Sequence, residues 1–575
     1  MNPYSENRFV GFVSMVSPLQ TKVHFPSSVL LKKFFNADKG YHAITGKYII
    51  IEGTGVGFLG KITEISLPEK ERLELTEAKF EKEIFHPTGK VEILLCFDNY
   101  KLKAKKGLDQ LPPVSAKVYL CSDVFLGSLL TEFGVKDGIN PIAISLASLP
   151  DNENHKIDVS SQALFGRHCA VVGTTGGGKS WTVAKLIEQV VAQNGKAILI
   201  DATGEYETLK STNIEYYKFN ETSDEGIYFN YKKLRETDLF ALFRPSQQSQ
   251  LPKLQEAMKS LRLVEIINQK KTTLDTTDNI VKTESFIISK EHGYTTLKKK
   301  DTTENFKYIS ACKNNTAVYS NHCGFEMTAL SAQILSECVY DNGSPDNPAR
   351  NNCQSLISRI LLTTYDKSFL NVFDFKNELH LSCKNEFEDV FDKFIVSKEK
   401  NVLILSVSNV STENKLREIL VNSIGRFLLE KALAEKFKAE TKKSLLLFLD
   451  EAHLFLNKKI KDEYSIEVEL DAFDRIAKEC RKFGLFLVIS TQMPRDIPRG
   501  VLSQMGTFIV HRLINQQDRE AIEFACSDAN KSALSFLPIL SSGEAMLTGV
   551  DFPMPMILKI TEPSVKPDSN TPSVF

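Results

Sequence analysis

The first 138 residues alternate short apolar runs with glycines and polar turns. The runs are five or six residues long, a typical strand length, and lie at 48–53, 61–66, 91–96 and 116–120. Short strands separated by turns predict a small β-barrel or a β-sandwich. This region has no evident catalytic arrangement of residues, so we expect it to be a structural or docking module.

From about residue 160 the apolar runs become continuous and alternate with helical patterns. These runs lie at 167–172, 196–201, 402–406, 445–450, 485–490 and 508–510. Continuous apolar strands between helices are typical of a parallel sheet that helices cover on both faces, so the pattern predicts an α/β fold. A glycine loop follows the first of these runs, and the helix after that loop should end near Gly195.

The change of pattern divides the chain into five segments. We predict an N-terminal β-barrel, an α/β core in two parts that flank a mostly helical insertion, and an irregular tail rich in proline and serine. The predicted limits are 1–138 for the barrel, 139–235 and 399–560 for the core, 236–398 for the insertion and 561–575 for the tail.

Composition and charge narrow the class of protein. Of the 575 residues, 42% are hydrophobic and 25% are charged, the balance of a soluble globular protein with several domains. Because 71 basic residues are offset by 72 acidic ones, any nucleic-acid contact must come from a local or assembled surface. No apolar run reaches the roughly 18 residues of a membrane span, and we expect no signal peptide. Ten cysteines without a C-x-x-C pair argue against zinc or a disulfide framework and favour the cytoplasm.

Eight consecutive residues fit the phosphate-binding pattern G-x-x-x-x-G-K-[ST] between a predicted strand and a predicted helix. They are Gly173, Thr174, Thr175, Gly176, Gly177, Gly178, Lys179 and Ser180, and we assign the next residue, Trp181, to the same site. The glycines let backbone N–H groups surround phosphate oxygens at a helix N-terminus. Lys179 would neutralise the β- and γ-phosphates of ATP, and Ser180 would bind Mg²⁺. The motif predicts a P-loop ATPase core of the RecA-like kind, and the alternative is a chance glycine loop.

Acidic residues follow two of the apolar runs. Asp450 would hold the metal ion through water and Glu451 would polarise the attacking water, unless the pair only caps the next helix. The segment 201–206 also lies at the carboxyl end of a predicted strand, where such sheets bind ligands. Its Glu205 could help to position water or metal, and a turn or a helix cap is an equally good interpretation.

Two polar residues flank the run 485–490. Gln492, just after it, could sense the γ-phosphate or could be an ordinary polar strand end. Arg481, before it, could reach the ATP of a neighbouring subunit, where an arginine can speed hydrolysis roughly 10³-fold or more. Arg481 stands beside the apolar face of a predicted helix that Gly484 should end, and that face consists of Phe473, Ile476, Ala477 and Cys480. The basic residues on another face of this segment are explained equally well as solvated, and they are Arg475, Lys478 and Lys482.

The order of these motifs resembles the HerA branch of the HerA/FtsK ring ATPases. The resemblance rests on GTTGGGKS at 173–180, DATGEY at 201–206, LDEAH at 449–453 and the long segment 475–513, and the N-terminal region resembles the family's HAS-barrel. It implies a homo-hexamer that hydrolyses ATP with Mg²⁺ and translocates double-stranded DNA. It also implies that Arg481 acts in trans and that Gln492 serves the γ-phosphate. The sequence departs from the family at Ala202 and Thr203, where proline and histidine are frequent, and at Gly177, where serine is common.

The resemblance also implies partners. Relatives act with nucleases in DNA end processing, or beside a nuclease or a sirtuin-like NAD-consuming effector in bacterial anti-phage systems. A composition rich in Asn, Ser and Cys, with a charge near zero, argues against a hyperthermophilic source and favours the defence setting. We therefore expect an effector on the barrel side and sequence-independent DNA contacts. Candidates for these contacts, which could equally belong to a solvated loop, are Lys458, Lys459 and Lys461.

Three other functions are compatible with parts of this pattern. A helicase with two motor domains in one chain is disfavoured because the sequence has one complete phosphate loop. A ring ATPase that remodels or scaffolds a protein effector would carry the same catalytic residues. The third is a ring that organises an effector without hydrolysing ATP. DNA-stimulated hydrolysis and the behaviour of Lys179→Ala and Glu451→Gln variants separate these functions.

Overall fold

A computed structural model defines the fold in two compact units. It describes residues 2–17, 20–26, 46–68, 86–101, 103–105, 110–132, 142–150, 152–270, 280–283, 286–291, 294–298, 302–340, 344–379, 385–435, 444–456, 458–460, 467–526, 534–550, 552 and 554–569. The first unit joins Met1–Gly195 with Phe486–Ser569, and the second contains Lys196–Leu485.

The N-terminal strands close into an antiparallel β-barrel. They are β1 (Phe9–Val16), β2 (Thr21–His24), β3 (Tyr48–Ile51), β4 (Val56–Ser66), β5 (Thr88–Asp98), β6 (Ala104–Lys105) and β7 (Lys117–Leu120). The order β2-β1-β7-β3-β4-β5 returns to its start because β2 also pairs with β5, and β6 extends β5. Side chains such as Val23, Ile49 and Ile62 fill the apolar interior. Of the two predicted forms, the barrel is confirmed.

The glycine loop lies between a buried strand and a helix of the first unit. Helix α1 (Asp123–Glu132), the hairpin of β8 (Ala143–Leu149) and β9 (Asn152–Ser160), and helix α2 (Ser161–Phe165) precede strand β10 (His168–Val172). Every residue of β10 is buried, as its continuous apolar run predicts. Helix α3 (Lys179–Ala192) follows the loop. The helix ends as predicted, because the Gly195 N–H donates to the Val190 carbonyl at 2.8 Å.

The second unit is built around a parallel sheet. Its strands are β11 (Lys196–Asp201), β12 (Ile214–Phe219), β13 (Gly226–Tyr228), β14 (Ile280–Thr283), β15 (Phe286–Glu291), β16 (Tyr294–Lys298), β17 (Asn385–Glu386), β18 (Val402–Ser406), β19 (Leu445–Leu449), β20 (Lys458–Ile460) and β21 (Val468–Leu470). Strands β17-β13-β12-β18-β11-β19 are neighbours in this order, and each pair is parallel. This arrangement agrees with the parallel sheet that the apolar runs predict.

Helices make up most of the described part of the predicted insertion, and two further helices follow it. They are α4 (Glu236–Phe243), α5 (Gln250–Lys270), α6 (Thr302–Asn314), α7 (Leu330–Glu337), α8 (Asn347–Tyr365), α9 (Lys367–Phe373), α10 (Phe387–Val396), α11 (Leu416–Glu435) and α12 (Ala472–Glu479). Strands β14, β15 and β16 form a separate antiparallel sheet among them, which the sequence pattern did not predict.

The end of the chain returns to the first unit. Its elements are β22 (Leu485–Thr491), α13 (Arg499–Leu502), β23 (Met505–Val510), α14 (Gln516–Ala525), β24 (Glu544–Thr548) and β25 (Met556–Ile560). Strand β10 lies between β22 and β23 and is parallel to both. Strands β24, β25, β8 and β9 continue the sheet in antiparallel pairs, so the sheet of this unit is mixed. The connections within β24–β25 and β8–β9 are too short for the crossover that a parallel pair needs.

The remaining expectations concern the tail, the cysteines and the membrane. The described part of the tail, 561–569, has neither helix nor strand, as predicted, and 570–575 lie outside the described residues. The described cysteines are free thiols. No described helix is long and apolar enough to cross a membrane.

Candidate active site

The glycine loop is anchored at the carboxyl ends of the parallel strands of the first unit. The Gly173 N–H donates to the Thr491 carbonyl at 3.3 Å, and the Gly177 N–H donates to the Thr174 carbonyl at 3.1 Å. Gly176 and Gly178 have φ angles of 72° and 108°, a conformation that favours glycine. The loop therefore curls back on itself ahead of α3, which leaves backbone N–H groups at the helix N-terminus for an anion.

Lys179 and Ser180 open helix α3. Lys179 is buried, and its Nζ donates to the Thr174 carbonyl at 3.2 Å, so its ammonium group is held against the loop. Ser180 and Trp181 are half-buried, while Thr175 and Gly176 at the crest of the loop are exposed. A buried cation behind an exposed crest is the arrangement that a bound phosphate chain needs.

Gln492 lies against the same loop. The Thr175 hydroxyl donates to Gln492 Oε1 at 2.7 Å. Gln492 directly follows β22, the strand whose last carbonyl anchors Gly173. The first unit thus brings together the predicted phosphate loop and the predicted γ-phosphate sensor, although 317 positions separate Thr175 from Gln492 in the chain.

The predicted acidic residues occupy the second unit. Strands β11 and β19 are parallel neighbours in which Ile200 pairs with Leu449. Asp201 and Asp450 therefore leave adjacent strands at the same edge of the sheet, and the Asp450 N–H donates to the Ile200 carbonyl at 3.1 Å. Asp450 and Glu451 are both buried, although carboxylates are seldom buried unless they are paired.

Glu451 has an unusual backbone conformation. Its φ of 44° and ψ of 48° lie in the left-handed region, which costs a residue with a side chain on the order of 1 kcal/mol or more. Glu451 precedes the 3₁₀ turn Ala452–Leu454, and its side chain makes no capping hydrogen bond there. The capping interpretation of this residue is therefore wrong, and strained carboxylates of this kind are typical of functional sites.

His453 lies beside the Glu451 carboxylate, and the sequence pattern did not predict this contact. Its Nδ1 lies 3.2 Å from Glu451 Oε2, and both side chains are buried. The two residues are close because the turn that begins at Glu451 folds the chain back within two positions. The D-E-A-H spacing was a signal for this contact, since a turn brings such residues together.

Asp201 closes the loop that carries Glu205. Its Oδ1 accepts from the N–H groups of Gly204 at 2.8 Å and Thr203 at 3.2 Å, and its Oδ2 accepts from Tyr206 at 3.4 Å. Burial raises the pKa of Asp201 to about 6, although these N–H groups oppose the shift. The turn is thus formed by Asp201, and Glu205 is left half-buried beside it.

Arg481 lies in the 3₁₀ turn Cys480–Phe483, just beyond α12, and not in the helix as predicted. The turn ends at Gly484, whose φ is 82°, and the predicted apolar face of the helix is buried. Arg481 is exposed, and no described carboxylate forms an ion pair with it. Arg475 instead pairs with Glu479 at 3.3 Å. Of the two arginines, Arg481 is the one whose guanidinium is available to another molecule.

The predicted DNA contact at 458–461 is weaker than its sequence suggests. Lys459 forms ion pairs with Glu467 at 2.8 Å and Glu469 at 2.7 Å, and these carboxylates raise its pKa. Lys458 begins β20, and Lys461 lies outside the described residues. Among the described residues, no group of three His, Cys, Asp or Glu side chains could hold a metal ion by itself.

Comparisons with known proteins give a family for this arrangement. The model of the helicase HerA central domain matches residues 144–428, and the model of the helicase HerA-like C-terminal domain matches 428–561. A probable helicase of Methanocaldococcus jannaschii is 26% identical over 78% of this chain and 74% of its own. The DNA double-strand break repair helicase HerA of Sulfolobus acidocaldarius is 25% identical over 92% of this chain and 91% of its own. Among solved structures, VirB4 of Thermoanaerobacter pseudethanolicus aligns with a TM-score of 0.43 at 14% identity, covering 74% of this chain and 98% of that one.

Proposed function

The chain belongs to the HerA helicase family and is an ATP-hydrolysing enzyme, and we propose that it is a motor that moves along double-stranded DNA. The observation that carries the proposal is the phosphate loop 173–180, which closes on β10 and α3 within the region that the HerA models match. The buried Lys179 and the exposed crest of the loop support ATP binding.

ATP would bind as its Mg²⁺ complex, which is usual for this loop. Backbone N–H groups of 173–178 and Lys179 would hold the phosphates, with Trp181 beside them. Mg²⁺ keeps ligands from water and phosphate and needs few from protein. Ser180, and Asp450 through water, would be its protein ligands.

Hydrolysis needs a water molecule aligned with the γ-phosphate. Glu451 would align and polarise it, since its side chain is buried, its backbone is strained and its carboxylate lies close to His453. Gln492 would report the γ-phosphate, which its contact with Thr175 supports. Glu205 would assist in positioning water. Its position beside the Asp201 turn is compatible with this role.

The active site would be completed between subunits of a hexameric ring. Arg481 would enter the site of the neighbouring subunit, where it would stabilise charge on the transferring phosphoryl group. The exposure of Arg481 and its lack of an ion pair among the described residues support this role. Hydrolysis would then loosen one subunit boundary at a time and move DNA by contacts to its backbone.

The barrel would carry a partner nuclease or a sirtuin-like NAD-consuming effector, in a bacterial anti-phage system. Exposed apolar side chains on the barrel support a docking surface, namely Phe12 at 39%, Met15 at 42% and Val114 at 61% exposure. Serine at Phe12 and Met15 together should abolish co-purification of the effector and leave ATP hydrolysis intact. Val124→Ser, which changes an exposed residue of α1, is the matched control. Retained co-purification in the double variant would place the effector elsewhere.

The proposed activity is tested by measuring ATP hydrolysis with and without duplex DNA. We expect duplex DNA to stimulate the wild-type protein and Lys179→Ala to abolish both the basal and the stimulated rate. Stimulation by a protein client alone would instead favour a ring ATPase that remodels its effector. Full biological activity in both Lys179→Ala and Glu451→Gln would mean that the ring organises an effector without hydrolysis.

A further inference from the structure

His511 lies directly beneath the phosphate loop. It follows β23, it is fully buried, and its backbone N–H donates to the Val172 carbonyl, the last of β10, at 2.7 Å. A Cβ on Gly173 would lie 2.5 Å from the His511 Cβ, and a Cβ on Gly178 would lie 3.3 Å from His511 Cε1. Both ends of the glycine loop therefore rest on this one side chain, and glycine is needed for the close approach.

Two hydrogen bonds fix the imidazole and its tautomer. His511 Nδ1 lies 2.9 Å from the Glu544 carbonyl, which can only accept, so Nδ1 carries the proton. In the neutral ring Nε2 then has no proton, so the Thr182 hydroxyl, which also lies 3.1 Å from the Gly178 carbonyl, gives its one proton to Nε2 at 2.8 Å. Burial lowers the pKa of His511 to about 4, so the ring is neutral at the pH of a cell.

The Glu544 carbonyl, which accepts from His511 Nδ1, belongs to the turn 541–544, and this turn contacts the phosphate loop. The Gly543 N–H lies 3.4 Å from the Gly177 carbonyl, and the Ser542 hydroxyl donates to the Gly176 carbonyl at 3.2 Å. Thr182 belongs to the first turn of α3, three positions after Lys179. The imidazole thus joins the loop, the start of the helix and the turn 541–544, which approach each other from distant parts of the chain.

We propose that His511 is a positioning residue that holds the phosphate loop in its binding conformation before ATP arrives. The inference rests on the proposal that this loop is the nucleotide site. A loop of glycines has many alternative conformations, and each must be given up when phosphate binds. Contacts that order the loop beforehand remove part of this cost, so they strengthen ATP binding more than they change the chemical step.

The test distinguishes a role of His511 in positioning the phosphate loop from a role in packing the protein core. We expect His511→Ala to raise the KM for ATP about tenfold or more, the effect of one good hydrogen bond, with kcat changed less than about threefold. His511→Asn keeps a donor near Nδ1, and His511→Gln keeps an acceptor near Nε2, so each should fall between Ala and wild type. Thr182→Val and His511→Asn should be non-additive in KM, because both remove the same hydrogen bond.

His168 provides the matched control. It is also buried, and it begins β10, with its Nδ1 accepting from the Leu487 N–H at 2.8 Å. His168→Gln should leave the KM for ATP unchanged even where it lowers the unfolding temperature. The inference is overturned if His511 variants lower kcat and unfolding temperature without raising KM, or if His168→Gln raises KM equally. Lys179→Ala distinguishes the two proposals, because normal ATP binding by that variant would refute the nucleotide site itself.

Discussion

At the scale of single residues, the clearest prediction concerns Glu451. Its left-handed backbone conformation would suit glycine, yet the position holds a buried carboxylate that lies 3.2 Å from His453 Nδ1. We expect Glu451→Gln to bind ATP within a few-fold of normal and to lose at least about 100-fold in the rate of hydrolysis, since a general base contributes 10²–10⁴-fold. Single-turnover hydrolysis with a parallel nucleotide-binding measurement checks both parts.

Glu205→Gln is the matched control for this prediction. Glu205 is also a carboxylate of the second unit and follows a neighbouring strand, but it is only half-buried. Its variant should lose less than about tenfold in the rate of hydrolysis, because a residue that assists contributes less than the base. An equal or larger loss in Glu205→Gln would contradict the assignment of Glu451 as the main base.

The raised pKa of Asp201 predicts that the stability of the protein depends on pH. The pKa of Asp201 is about 6 in the folded protein, against 3.8 for an ordinary Asp, so the folded state binds this proton more tightly. The stability that this proton contributes is fully present below about pH 4 and is lost by about pH 6, on the order of 2–3 kcal/mol. Asp201→Asn should lack this loss. Urea midpoints of the variant should therefore rise relative to wild type between pH 4 and pH 6, and parallel midpoints would contradict the prediction.

The sequence predicted the residues that belong to a continuous motif or to a segment that resembles a known family. Lys179 and Ser180 could be identified because a phosphate loop is a continuous stretch of eight residues. His511 could not, because the Thr182 hydroxyl that it contacts is 329 positions away. Its apolar neighbours Phe508, Ile509 and Val510 indicate only a buried strand. Which buried histidine touches the loop depends on the order of strands in the sheet, and no local pattern encodes that order.

At the scale of elements, the tail and helix α3 form one structure. The Ser564 N–H and hydroxyl donate to Glu188 Oε2 at 2.6 and 2.7 Å, and Lys566 Nζ lies 4.6 Å from the centre of the Trp181 ring. Burial alone would raise the pKa of Glu188, but hydrogen bonds from Lys185 and Ser564 lower it below its ordinary value. An irregular segment is thus held along the helix that begins at the phosphate loop.

Tail removal should change the surroundings of Trp181. Because this is the only tryptophan of the chain, its fluorescence reports this site alone. Deletion of 561–575 should move the emission to longer wavelength and increase quenching by acrylamide, since the ring loses the cover of Lys566. Lys566→Ala should show part of the effect. Val565→Ala, at a neighbouring side chain that is 47% exposed, should show none, and unchanged emission in the deletion would refute the contact.

The sheets show which elements a pattern can predict. Continuous apolar runs predicted β10, β11, β18, β19 and β22 because burial on both faces removes polar positions. Strand β25 was missed because alternating burial is a weaker signal over five residues, and β24 was missed although four of its five residues are buried. Closure of the barrel through β2 and β5 was beyond the pattern, since it joins strands that are separated by more than 60 positions.

At the scale of the whole molecule, neither the net charge nor the order of segments along the chain identifies the surface that would contact DNA. Basic and acidic residues nearly cancel, at 71 and 72, and the exposed Lys459 is already paired with two carboxylates. The first compact unit joins segments from both ends of the chain, so the predicted domain limits stay predictions. A DNA path would therefore need a local basic patch or a surface shared by several subunits, and the second possibility makes assembly a property to test.

Mixed assemblies test whether Arg481 acts between subunits. Arg481→Ala alone should lose about 10³-fold in hydrolysis and retain ATP binding, because it removes a charge that stabilises the transition state. Mixing it with Glu451→Gln subunits should restore activity, with a maximum near equal amounts. Of the boundaries between two different variants, half would then place an intact Glu451 opposite an intact Arg481. Arg475→Ala, which removes an arginine already paired with Glu479, should keep its activity without mixing. If no mixture exceeds the two inactive proteins alone, Arg481 does not complete a neighbour's site.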